Sequence, residues 1–148
     1  MRALRDAPYA FMSSLEREAA HDPEFWEQWV GESDLGVAGA IFVAIDDGAG
    51  VAMAGGFFAD DARETATLWG MWVDPAARRR GLGRQLVDAV ADWARRSGAA
   101  SLRLAVTECP ASQPAAALYQ GLGFVHTGEQ EQLESDPTLT TQVMTLPI

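Results

Sequence analysis

Apolar positions along this chain fall first at helical spacing, then in strand-length runs, then at helical spacing again. Near the amino terminus Ser13-Ser14-Leu15-Glu16 has the spacing of a capping box, and Asp22-Pro23-Glu24 sets an N-cap residue before a proline at the first helical position. Two short helices are predicted to begin there. The second carries Phe25, Trp26, Trp29 and Val30 largely on one face, which either packs into the core or lines a pocket. From Gly39 the pattern changes to apolar runs over residues 40–45, 51–59 and 65–73, broken by the turns Asp46-Asp47-Gly48 and Asp60-Asp61. These runs predict a meander of three antiparallel strands. Leu82, Leu86, Val87, Val90, Trp93 and Ala94 then form a helical stripe that stops at Ser97-Gly98, with Arg95 and Arg96 in its last turn.

Residues 101–106 alternate as a strand, and Ala115, Leu118, Tyr119 and Leu122 recur at helical spacing over 114–122. Another strand is predicted to start at Gly123-Phe124, and a last one to cover 142–146; residues 110–114 and 133–137 read as loops. There is no internal repeat, low-complexity tract or linker, so residues 1–148 are read as a single domain. The predicted architecture is an α/β (α+β) fold, a mixed sheet with helices on its faces.

Charge adds a functional clue. The formal net charge of −10 argues against nucleic acid as a general partner, because most of the surface repels a phosphate backbone. Four of the eleven Lys and Arg residues nevertheless crowd together at Arg78, Arg79, Arg80 and Arg84. They make one anion-attracting spot on an acidic body. The single cysteine, Cys109, cannot form an internal disulfide, and His21 and His126 lack metal-ligand spacing, so no metal is expected. With no apolar run of eighteen residues and no signal-peptide pattern, no membrane partner is expected and the location is expected to be cytoplasmic.

The arginines sit in Trp72-Val73-Asp74-Pro75-Ala76-Ala77-Arg78-Arg79-Arg80-Gly81-Leu82-Gly83-Arg84, which joins a predicted strand to the start of the long helix. A helix start offers unpaired N–H groups and a positive dipole end, and glycines let the backbone curl closely around an anion. The turn therefore suits a pyrophosphate, against the plainer reading of a solvated arginine run. It is not a nucleotide P-loop, since the Gly-x-x-x-x-Gly-Lys spacing is missing. Nor is it a dinucleotide fingerprint, because it supplies two of the three required glycines and follows an antiparallel meander.

Arg78-x-x-Gly81-x-Gly83, followed by Ala115-x-x-Leu118-Tyr119-x-x-x-Gly123-Phe124, resembles the signature of the GNAT superfamily of N-acetyltransferases. The resemblance runs from about Gly39 to the end, and more faintly over residues 2–30. It implies a mostly antiparallel sheet with a V-shaped split between the strand ending at Val73 and the strand 101–106, where the pantetheine arm of acetyl-CoA inserts. By the same resemblance, Met71, Trp72 and Val73 pair with the pantetheine amides, and Arg78, Arg79, Arg80, Gly81, Leu82, Gly83 and Arg84 hold the pyrophosphate. Ser112 stands where the family often carries an asparagine that touches the cofactor.

The resemblance implies acetyl transfer to a primary amine by direct attack, with Tyr119 as the general acid beside the CoA sulfur; the alternative for Tyr119 is a core tyrosine on an apolar helix face. Many members carry a glutamate where this chain has Thr67 or Ala105, so Glu64 and Glu108, directly or through water, are the candidate bases. The missing glutamates also leave open a non-catalytic acyl-CoA-binding or sensing module, and the acidic surface leaves open a protein amino terminus or lysine as acceptor. The acceptor depends on the loop between the N-terminal helices and on residues 129–141. Finally, the resemblance implies an edge strand before the segment like Leu4–Pro8, and with only Met1–Ala3 ahead of it that strand is expected to be absent. The run 40–45 is therefore expected to be a sheet edge covered by a homodimer partner or by the chain's own amino terminus.

Overall fold

The structure is a computed structural model that describes residues 1–33 and 39–148, with side chains described for 1–28 and 39–148. Four elements precede and open the sheet: α1 (Arg2–Asp6), α2 (Leu15–Ala19), α3 (Pro23–Ser33) and β1 (Gly39–Asp46). They are followed by β2 (Ala49–Phe58), β3 (Thr65–Val73), α4 (Leu82–Arg96), β4 (Ser101–Thr107), α5 (Gln113–Gly121), β5 (Val125–Leu133) and β6 (Asp136–Pro147). The helix starts follow local chemistry. Ser14 accepts from the Arg17 N–H at 3.2 Å and opens α2, one residue later than the capping-box spacing suggests, while Ser13 binds Glu18. Asp22 accepts from the Phe25 N–H at 2.8 Å and opens α3. The aromatic face of α3 is only partly a core face. Phe25 is exposed and stacks on His21 at 3.8 Å, and the side chains of Trp29 and Val30 lie outside the described residues.

The six strands form one sheet in the order β1-β2-β3-β4-β6-β5, mixed and mostly antiparallel, with β3 and β4 the single parallel pair. The predicted meander and crossover helix are present. The carboxy-terminal part differs, because residues 133–137 are not a loop. β5 and β6 make a long hairpin turning at Glu134 and Ser135.

Alternation assigns the two faces of the sheet. Leu102, Leu104 and Val106 of β4 and Ala66 and Leu68 of β3 are buried with Leu86, Val87, Val90 and Trp93 of α4 and with Tyr119 and Phe124. Gly56 of β2 leaves room for this packing: a Cβ there would lie 2.6 Å from the Trp93 ring. Arg103, Ala105 and Thr107 point to the other face, where the amino-terminal segment docks. Outside β1 no strand pairs among the described residues, so β1 is a sheet edge, with Val43 and Ile45 exposed. Among the described residues no amino-terminal strand pairs with that edge, although α3 lies against β1. Residues 2–11 bind instead at the ends of β3 and β4.

Candidate active site

Pairing between β3 and β4 lasts only three residues, Thr65–Thr67 against Ser101–Arg103, and then the strands part. β4 stays paired to β6 through Thr107 and β3 to β2 through Val73, so both walls of the gap are rigid. The cause lies in β3. Its register against β2 slips between Met53↔Trp72 and Gly55↔Trp69, so that Gly70 and Met71 together oppose Ala54. Gly70 has φ +61°, a left-handed backbone that glycine adopts without a Cβ penalty. The bulge bends β3 away from β4 and turns Trp72 to the face where α1 docks. Over residues 68–73 the side of β3 away from β2 therefore has no strand partner, and an extended ligand can add hydrogen bonds there.

The open end of the split leads into the turn before α4. Arg79 (φ +65°) and Gly81 (φ +83°) are both left-handed, and Gly81 is the N-cap of α4 with no capping side chain. Among the described residues, the N–H groups of Leu82, Gly83 and Arg84 find no protein partner, which leaves a set of donors at a positive helix end. Gly83 also keeps α4 close to α5, since a Cβ there would lie 2.9 Å from Leu118 Cδ2. The arginines divide into two pairs. Arg78 Nε donates to the Val73 carbonyl at 3.0 Å and its guanidinium pairs with Asp6, while Arg80 pairs with Asp46 at 2.8 Å. Arg79 and Arg84 have no carboxylate partner among the described residues, which leaves them to an anion.

Tyr119 lies in the core cluster that includes Leu104 and Val106 of the split's β4 wall, with its ring 5.7 Å from Phe124 in an edge arrangement. Its hydroxyl makes no hydrogen bond to a described residue. No fully buried side-chain oxygen or nitrogen is unpaired among those residues, so the Tyr119 hydroxyl keeps a trace of exposure. Burial pushes the phenol well above its ordinary value, so the group stays protonated through neutral pH.

The region thus combines an open strand edge, a helix start with unpaired N–H groups and a buried, protonated phenol. A family model, the acetyltransferase (GNAT) family, matches residues 1–124. The chain belongs to the GNAT acetyltransferase family. A GNAT-family acetyltransferase from Streptococcus pneumoniae is similar at TM-score 0.73 and 21% identity, over 87% of this chain and 78% of that one. The ribosomal-protein-S18-alanine N-acetyltransferase of Escherichia coli gives TM-score 0.62 and 28% identity, over 82% and 76%. An acetyltransferase from Salmonella typhimurium, solved with its cofactor acetyl-CoA, gives 0.67 and 24%, over 86% and 74%. No curated protein matches the sequence.

Within this GNAT fold the candidate residues fall in different places. Met71, Trp72 and Val73 line the open edge of β3, and Arg79, Gly81, Leu82, Gly83 and Arg84 form the turn. Arg78 and Arg80 are held by carboxylates. Glu64 lies at the closed vertex of the split, its carbonyl accepting from Ala100 and Ser101 N–H groups, nine residues and about 30 Å of strand from the open end at Val73. Glu108 accepts from Gln142 of β6 at 2.7 Å, on the side of β4 away from the split. It borders an open cleft of about 390 Å³ with His126, Gln142 and Ser112. Ser112 is buried, its hydroxyl 3.2 Å from the Cys109 sulfur. Glu64 thus sits at the closed end of the split, and Glu108 follows the last residue of β4 at its open end. Sequence reasoning did not single out Asp6, whose partners lie 66 and 72 residues away. It also missed Arg103, which reaches across the sheet to Glu131 at 2.5 Å. Among the described residues no three metal-ligating side chains cluster, and no helix is long and apolar enough to cross a membrane.

Proposed function

We propose that this GNAT protein transfers the acetyl group of acetyl-CoA to a primary amine by direct attack within the split. The observation that carries the reading is the parting of β3 from β4 after three residue pairs, beside a helix start whose N–H groups are unpaired. The unpaired edge of β3 suits the amides of a pantetheine arm, and the Arg79–Arg84 turn suits its pyrophosphate. The neutral amine adds to the thioester carbonyl, the C–S bond breaks, and the Tyr119 hydroxyl protonates the departing thiolate. The proton lost by the amine passes to water, with Glu108 beside the end of β4 as the nearer carboxylate to receive it and Glu64 at the closed vertex the farther, since Thr67 and Ala105 carry no carboxylate. Tyr119 suits its role because burial keeps its proton and no protein acceptor holds the hydroxyl.

The acceptor approaches from the face bearing the amino-terminal segment and the β5–β6 hairpin. A small-molecule amine, a protein amino terminus and a protein lysine all meet the chemical requirement. We place the enzyme in the cytoplasm and assign its exposed β1 edge to pairing with a second copy. The test is the release of free CoA thiol from acetyl-CoA across a panel of amines and basic peptides. The absence of the two carboxylates favours a second reading, an acyl-CoA-binding module without turnover. Binding of acetyl-CoA with no thiol release for any acceptor supports that reading, and absence of binding sinks both.

A further inference from the structure

Three of the first eleven residues, Asp6, Arg2 and Tyr9, tie the start of the chain to the open end of the split. Asp6 at the end of α1 accepts from the Trp72 indole N–H at 3.0 Å and pairs with Arg78. Arg2 pairs with Asp74 at 2.9 Å and lies over the Trp72 ring, with its guanidinium carbon 5.6 Å from the ring centre. On the opposite wall, the Thr107 hydroxyl donates to the Tyr9 carbonyl at 2.7 Å. Beyond Thr67 and Arg103 no β-pairing joins the two walls, so this segment bridges them where the sheet does not.

We infer that Asp6 is a positioning residue for the anion-binding turn, acting through Arg78 and not on the ligand itself. Arg78 is fixed at two points, the Val73 carbonyl and the Asp6 carboxylate, and the next residue, Arg79, is a non-glycine held at φ +65°. A non-glycine residue persists in that region only where its surroundings over-determine it. The Asp6–Arg78 pair supplies that restraint immediately before the strained residue. It keeps the free N–H groups of α4 and the side chain of Arg79 aimed at one place before a ligand arrives.

The inference rests on the acyl-CoA reading of the turn, and the sign of one effect tests it. Asp6→Asn removes a negative charge from the neighbourhood of the phosphates and frees the Arg78 guanidinium. Simple electrostatics then predicts tighter binding of an anion, whereas loss of positioning predicts weaker binding. Calorimetric Kd values are measured for CoA and for its nucleotide half, 3′-phospho-ADP, on the full chain, with circular dichroism confirming the fold. Asp6→Asn is expected to weaken both ligands about tenfold, and Asp6→Glu to restore most of the loss. A disturbance spread through the whole sheet would weaken CoA more than the nucleotide, because CoA also runs along β3. If Asp6→Asn does not fold, Arg78→Lys serves, since it keeps the positive charge and the Asp6–Trp72 hydrogen bond but loses the Nε bond to the Val73 carbonyl. It is expected to show the same loss, and the double variant no more than either single one. Unchanged or tighter binding in Asp6→Asn, or in a stand-in Arg78→Lys, overturns the inference. Failure of the unmodified protein to bind CoA overturns the reading beneath it.

Discussion

Replacement of Tyr119 by phenylalanine separates chemistry from packing at this site. The ring is 5% exposed and packs edge-on against Phe124, and both features survive the substitution. The deleted hydroxyl has no hydrogen-bond partner among the described residues, so its loss breaks no bond and removes a group that is costly to bury. The stability change should stay within about 1 kcal/mol of zero. If the hydroxyl delivers the proton to the thiolate, turnover should fall by roughly 10²-fold, equivalent to about 2.7 kcal/mol of barrier, with CoA affinity unchanged. The assay is thiol release with the best amine of the panel, alongside thermal denaturation and calorimetry with CoA. Full turnover in the variant would return Tyr119 to the core as a packing residue. Alkaline stability gives a second readout. The folded phenol titrates above the unfolded value of about 10, so the unfolded chain loses its proton first as pH rises. That contribution is fully present below about pH 10 and declines above it, and Tyr119→Phe should flatten the decline.

Acetyl-CoA should raise the melting temperature, and Gly81→Asp should abolish the shift: a Cβ there meets only Gln85 Nε2, at 3.9 Å, so the carboxylate fits but faces the anion. Gly81→Asn, which tolerates the left-handed backbone without charge, should keep much of the shift. Gly56→Ala should cost about 1–3 kcal/mol in denaturant titration, because the new methyl group meets the Trp93 ring at 2.6 Å; an unchanged midpoint would refute that packing. If two copies pair through β1, light scattering should report a dimer and amides 40–45 should exchange slowly. A monomer with fast exchange there would leave the edge bare.

Much of this fold is legible because its signals are local. The α4 stripe, the Asp22 cap and the glycine turn each depend on residues within a few positions. A strand from Gly123-Phe124 and a last strand over 142–146 are legible, but the length of the β5–β6 hairpin and its tip at 133–137 are not, because β5 from Val125 to Gln132 is solvent-exposed and no apolar alternation marks it. The bulge at Gly70 is a two-against-one register, a relation between strands that one strand's sequence does not record. The arginine run illustrates the same limit. Its charge can be counted along the chain, but Asp6 and Asp46, which hold Arg78 and Arg80, come from 72 and 34 residues away. The glutamates were chosen for nearness in sequence to the motifs, and strand geometry carries them to a closed vertex and to the end of β4.

The short seam between β3 and β4 also bears on how the molecule is assembled. It divides the ladder into two three-stranded leaves, β1-β2-β3 and β4-β6-β5, and each leaf is drawn from one uninterrupted stretch of chain, with α4 the connection between them. Strand pairing within the first leaf closes only short loops, whereas β4 of the second must wait for β6, 34 to 46 residues on, so the first leaf can form on the ribosome while the second is still being translated. Native-state amide exchange should then resolve two opening units that meet at Thr65–Thr67. On this view the gap is an unsealed joint between two self-closing units, and its position was settled by where one ends and the next begins.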